Sequence, residues 1–194
     1  MKKLHYILLG IIFASMFACS EADKEMFKGP DSICFRFPQT SDDIDEYRKL
    51  DSSLIFREDT VVYSFAFDME ATERVICIPV QIGGMATGHE RTYMIEVEEY
   101  NGTQAGVHYE ALRKEQVLGA EKTTDSLRVK FFRRDMDKVA RKIGLRIKTG
   151  GDFVEGAQER LFLAIQVSDI LEKPSWWDNW SDCFGTFHPI KYRE

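Results

Sequence analysis

Arg74-Val75-Ile76-Cys77-Ile78-Pro79-Val80-Gln81-Ile82-Gly83-Gly84 is the stretch on which the fold turns. Ile76, Ile78, Val80 and Ile82 fall on every second position, the period of a strand with one buried face; a helix would scatter them around its circumference. Gly83-Gly84, with Gly88 beyond, supply a flexible turn. Arg91 to Tyr100 then alternates again, with Tyr93, Ile95 and Val97 inward and Glu96 and Glu98 outward, until Asn101-Gly102 ends it. Further on, Leu127, Val129 and Phe131 alternate with Arg128, Lys130 and Phe132. Leu145 and Ile147 make a short strand, and Leu161, Leu163, Ile165 and Val167 a last clear one. Working back, Val61 to Phe67 is rich in β-branched and aromatic residues, and Ser32 to Phe37 is a short strand closed by Pro38. The polar residues 39 to 60 read as a long loop, and Asp137 to Lys142 as one helical turn. No segment of ten residues keeps a 3.6 period and no βαβ alternation occurs, so the pattern predicts an all-β, antiparallel sandwich of about seven strands.

The chain has 194 residues, 44% hydrophobic and 30% charged, a composition for one folded domain with some extra length. Its formal charge of -6 argues against nucleic acid as a partner, which needs clustered Lys and Arg.

Lys2 and Lys3 precede an apolar run from Leu4 to Ala18 whose only strongly polar interruptions are His5 and Tyr6. A basic start and a short apolar core are the parts of an export signal, and the run is short for a membrane-spanning helix. Met16-Phe17-Ala18-Cys19 resembles a bacterial lipobox, in which the cysteine becomes the lipidated first residue; an ordinary secretory signal cleaved nearby and a short membrane anchor are the alternatives. Cleavage there removes Lys2 and Lys3 and takes the formal charge from -6 to -8. Cys19 is thus the expected lipid attachment site, anchoring the protein to a membrane without a spanning helix. The acidic stretch Ser20-Glu21-Ala22-Asp23-Lys24-Glu25 follows it as a tether.

Beyond Cys19 the chain has Cys34, Cys77 and Cys183, so at most one disulfide forms. Cys34 and Cys77 lie in strand-like runs and are expected as buried free thiols. Scattered histidines and the lack of a Cys-x-x-Cys pair give no metal site, and Asp135 and Asp137 have no loop of spaced oxygens around them to hold calcium. No nucleophile elbow, His-Glu-x-x-His helix or phosphate loop is present, no cofactor is implied, and the chain reads as a non-enzyme. His108-Tyr109, in a glycine-flanked turn, reads as structural. The remaining cluster is Trp176, Trp177 and Trp180, beside Asp178, Asn179 and Asp182. These rings either pack the tail onto the sandwich or stack on sugar rings as a carbohydrate-binding site.

Several stretches together resemble a domain-of-unknown-function family of surface lipoproteins. They are Asp59-Thr60-Val61-Val62-Tyr63-Ser64-Phe65-Ala66, Ile78-Pro79-Val80-Gln81-Ile82-Gly83-Gly84, Arg91-Thr92-Tyr93, Ala105-Gly106-Val107-His108-Tyr109, Phe153-Val154-Glu155-Gly156 and Lys173-Pro174-Ser175-Trp176-Trp177. Gly106-Val107-His108-Tyr109 also resembles the Gly-x-Asp-Tyr turn of Calx-β domains, with His108 where the aspartate stands, which bears against a Calx-type calcium role. The resemblance implies an Ig-like or Calx-β-like sandwich encoded beside Sus-type transporter and lipoprotein pairs that capture and import glycans. It also implies a C-terminal segment beyond Phe184-Gly185-Thr186-Phe187, so the tail reads as truncated at Glu194. The expected organisation is a signal peptide over 1–18, a lipidated acidic tether over 19–31, the sandwich over 32–173 and a Trp-rich tail over 174–194. The expected role is a non-catalytic accessory lipoprotein of an outer-membrane glycan-uptake system, facing the cell exterior, with Sus-type components and possible polysaccharide as partners. The alternatives are direct carbohydrate binding through the tail tryptophans and, behind it, an unrecognised hydrolase.

Overall fold

The computed structural model describes residues 29–38, 44, 51–171, 173 and 177–188. The signal peptide, Cys19, most of the tether and Trp176 lie outside the described residues.

Among the described residues, ten strands build two sheets. In chain order they are β1 (Ser32–Phe35), β2 (Ile55–Arg57), β3 (Thr60–Ser64), β4 (Glu73–Gly83), β5 (Arg91–Tyr100), β6 (Glu115–Leu118), β7 (Thr124–Phe132), β8 (Arg141–Gly151), β9 (Val154–Glu155) and β10 (Phe162–Ser168). The smaller sheet runs β7-β4-β1-β9 and the larger one β2-β3-β10-β8-β5-β6. Most pairs are antiparallel, but β10 lies parallel to β3 and β1 parallel to β9. The sheets close on one core because their period-2 faces meet. Phe35, Ile76, Ile78, Val129 and Phe131 from the smaller sheet are buried against Tyr93, Ile95, Leu145, Ile147 and Ile165 from the larger.

Pro79 sits inside β4 without breaking it. The neighbouring β1 ladder ends at Phe35 opposite Val80, and the last bond on that side is Arg36 N–H to the Pro79 carbonyl at 2.8 Å. The proline thus sits at the last pair of that ladder, where its carbonyl accepts a bond and its missing N–H forfeits only the final one.

Four expectations are corrected. The supposed loop over 39–60 contains β2, whose three residues pair antiparallel with β3 and are too few to show a period. Asp137 to Lys142 is not helical; Arg141 and Lys142 already belong to β8, whose eleven residues extend well beyond Leu145 and Ile147. Short β6 and β9, edge pieces with little to bury, were also invisible as patterns. Cys77 is exposed: with Ile76 and Ile78 inward, the pleat of β4 turns it to solvent. All three described cysteines are free.

Candidate functional site

After Asn101 and Gly102, both with positive φ, the chain leaves β5 and crosses the molecule. His108 to Glu110 line up along the outer edge of β7 in the smaller sheet. Phe132 N–H donates to the His108 carbonyl and Glu110 N–H to the Lys130 carbonyl, each at 2.8 Å. The chain then returns to the larger sheet, where Ile95 N–H donates to the Lys114 carbonyl at 2.7 Å and β6 pairs with the first residues of β5. The detour leaves a groove of about 580 Å³ between the second half of β5 and the crossing segment. Val97, Leu112 and Tyr109 form its apolar floor, while Glu96, Lys114 and Lys148 stand at its rim.

The crossing segment is tied down. The Glu99 carboxylate accepts from Ala105 N–H at 2.8 Å and from the Tyr109 hydroxyl at 2.9 Å. Burial, reinforced by that bond to Glu99, pushes the Tyr109 hydroxyl well above its ordinary range and keeps it a donor. His108 is buried, and its Nδ1 accepts from Gln104 N–H at 3.0 Å. Burial, with Arg141 nearby, holds its pKa below the ordinary value and the ring neutral. His108 thus shapes a turn, in agreement with its structural reading. Thr103 Oγ1 accepts from Lys142 N–H at 2.9 Å, anchoring the turn to β8.

The outward face beside the groove is laced with charge. Glu96 pairs with Lys148 at 3.2 Å and Glu98 with Arg146 at 3.3 Å. Phe162 and Tyr100 close over Gly144, and Arg146 lies 4.9 Å from the Phe162 ring centroid.

The tail tryptophans part company. Trp177 is buried; its Nε1 donates to the Gly185 carbonyl at 3.0 Å, and its ring packs against Phe184 and Phe187, with centroids 5.3 and 5.1 Å away. Trp180 is exposed. A shallow cleft of about 570 Å³ runs beside Trp177, lined by Lys173, Asp178, Ser181 and Thr186. Lys173 and Asp178 pair there at 2.7 Å.

Among the described residues, no group of three or more His, Cys, Asp or Glu side chains is placed to hold a metal ion. Asp135 spends its main-chain carbonyl on the Arg141 guanidinium. The groove was missed in the sequence because it comes from a missing neighbour on β5, which no local motif encodes; only the Gly-flanked turn around His108 marked the region.

Several solved structures are similar to this chain at low identity. The apo-form Calx CBD1 domain is 9% identical with a TM-score of 0.47, over 74% of this chain and 100% of that one. A Bacteroides ovatus protein proposed to bind carbohydrate is 14% identical with a TM-score of 0.39; the match covers 62% of this chain and 38% of that one. A two-domain protein of unknown function from Bacteroides fragilis is 12% identical with a TM-score of 0.36, over 69% of this chain and 51% of that one. Apart from the first, these matches span about half or less of the other protein's length. A search of curated proteins found no match. The family model for the domain of unknown function DUF4843 matches residues 27–194, and the chain belongs to that family.

Proposed function

We propose that this protein is a non-catalytic binding or assembly module of a glycan-capture and uptake system, lipid-anchored through Cys19 to the outer membrane and facing the cell exterior. The observation that carries the reading is the groove beside β5, with its floor of Val97, Leu112 and Tyr109 and its rim of Glu96, Lys114 and Lys148. An apolar floor with a few polar groups at the edge suits holding a partner. The lipobox supports the membrane attachment, and the family resemblance supports Sus-type transporter and lipoprotein components as the neighbours. The test is cross-linking in intact cells grown on a panel of glycans, followed by purification of this protein from the outer membrane. Recovery of transporter or lipoprotein components on at least one glycan is expected. Recovery of none on any glycan overturns the reading.

Direct carbohydrate binding at the tail is the second reading, favoured by the cleft that Trp177, Lys173 and Asp178 line and by the exposure of Trp180 in the same short segment. All three tryptophans of the chain lie between residues 176 and 180, so intrinsic fluorescence reports on this region alone. Titration with polysaccharides is expected to give a saturable shift that Trp180→Ala abolishes. A flat titration across the panel removes the tail from consideration.

A further inference from the structure

The groove that supports the proposed function also has a wall with a specific chemistry. In the β5–β8 ladder, Ile95 is opposite Ile147, Val97 opposite Leu145 and Glu99 opposite Ile143. Ile95 N–H points away from β8, to the Lys114 carbonyl, and Ile147 N–H points away from β5, to the Leu161 carbonyl. Antiparallel pairing alternates, so the main-chain groups of Val97 and Glu99 also point away from β8, those of Val97 into the groove and those of Glu99 just past its lining, at the end where the crossing segment is pinned. Among the described residues nothing hydrogen-bonds to them, because the chain has crossed to β7. Among the described residues, the other sheet edges are the short β2, β6 and β9, and β7, where His108–Glu110 covers Lys130–Phe132 and leaves the stretch before it open. The second half of β5 is the open edge that faces a walled groove.

We infer that this groove is a strand-acceptor slot: an extended peptide segment of a partner protein adds to the free edge of β5, hydrogen-bonding to Val97 and Glu99. This rests on the proposed assembly role and names its surface. Three features select a peptide strand. Free main-chain groups recur every second residue along β5, a spacing of about 7 Å that another strand reproduces. From Ile95, where β6 pairing stops, to Glu99, where the crossing segment is pinned, the slot is about 13 Å long and takes four or five extended residues. The crossing segment walls its far side, which leaves room for a single strand and not for the edge of a second copy's sheet. Inside, one apolar side chain of the peptide meets Leu112 and Tyr109. Lys114 and Lys148 both stand at the Met94–Ile95 end, and among the described residues Glu96 pairs with Lys148 alone, so a carboxylate belongs at that end of the peptide.

The experiment pans a random heptapeptide phage library against the full chain in detergent, then measures synthetic leads by fluorescence polarisation. The expected leads pair a central apolar residue with an acidic one, and they slow amide exchange at Val97 and Glu99. Val97→Pro removes the outward N–H but no bond to β8, so it folds and weakens binding at least about tenfold. N-methylation of alternate lead amides gives the same loss on the unaltered protein, so the test does not depend on the variant folding. Leads that bind Val97→Pro or N-methylated forms unchanged overturn the slot. So does a library yielding no lead, or a polysaccharide that protects the Val97 and Glu99 amides. If Val97→Pro cross-links in cells to the same neighbours as the wild type, the slot fails and the assembly reading stands; if the wild type cross-links to none, that reading fails whatever the peptides do.

Discussion

Arg91 opens β5 on its inward face and is 4% exposed, a charge at the end of a hydrophobic core. Its guanidinium pairs with Asp31 at 2.5 Å, just before β1, and stacks over Phe153 at 4.7 Å from the ring centroid. It thereby ties the start of β5 in one sheet to the start of β1 in the other. Arg91→Met keeps the apolar stem and deletes the charge. Breaking a buried pair costs about 3–5 kcal/mol. The Asp31 side chain is 30% exposed, and water recovers part of its solvation, which brings the figure down to about 2 kcal/mol. Loss of the stacking on Phe153 adds about 0.5–1 kcal/mol. The expected total is about 2–3 kcal/mol, or roughly a 6–10 °C drop in Tm for a domain of this size. Urea denaturation followed by far-UV circular dichroism measures it. A cycle with Asp31→Asn isolates the pair and is expected to give a coupling of about 1–2 kcal/mol. A loss under about 0.5 kcal/mol for Arg91→Met, or additive single variants, refutes the view that this pair clamps the two sheets.

Three further outcomes follow from the same geometry. Burial holds the His108 pKa below its ordinary value, so the unfolded chain takes up a proton there first. Stability is therefore full above about pH 6.5 and falls as the pH drops below it, a slope that His108→Asn removes while keeping an acceptor for Gln104 N–H; urea midpoints between pH 7.5 and 5, about the range of imidazole titration, check this. A β-carbon at Gly144 would lie 2.6 Å from Phe162 Cε2 and 3.1 Å from Tyr100 Cε2, so Gly144→Ala displaces both rings and costs about 1–2 kcal/mol by thermal denaturation. Aromatic thiol reagents are expected to label exposed Cys77 and Cys183 well before Cys34, whose thiol burial pushes up in pKa; timed mass spectrometry of labelled peptides gives the order.

Legibility in the sequence tracked burial on one face. β4, β5, β7 and β10 each bury several alternate side chains, and their periods showed all four and the sandwich they form. Where a strand pairs without burying much, as in β2 and β9, there was no pattern to read. Cys77 differs for another reason: its apolar neighbourhood suggests burial, but its parity between inward Ile76 and Ile78 turns it outward. Arg91 shows the converse, since its parity with Tyr93 and Ile95 marks it as inward while its charge argued otherwise. Parity was the stronger signal in both. The groove was illegible in principle, because it depends on where residues 103–114 stop accompanying β5, and that is settled by hydrogen bonds to β7.

The parallel pairing of β10 with β3 has a consequence for when the protein can fold. Thr60 to Ser64 must wait for Ala164 to Ser168, about a hundred residues later in synthesis, and until then β2 and β3 are detached from the rest of the larger sheet. β1 pairs with β4 much earlier, and only β9, at its other edge, joins it late. Neither sheet is complete on a nascent chain that has not emerged almost to its end, so folding is a late, long-range event with a high contact order and a slow rate. A topology that postpones closure in this way leaves the chain an open thread until its last strand has been made.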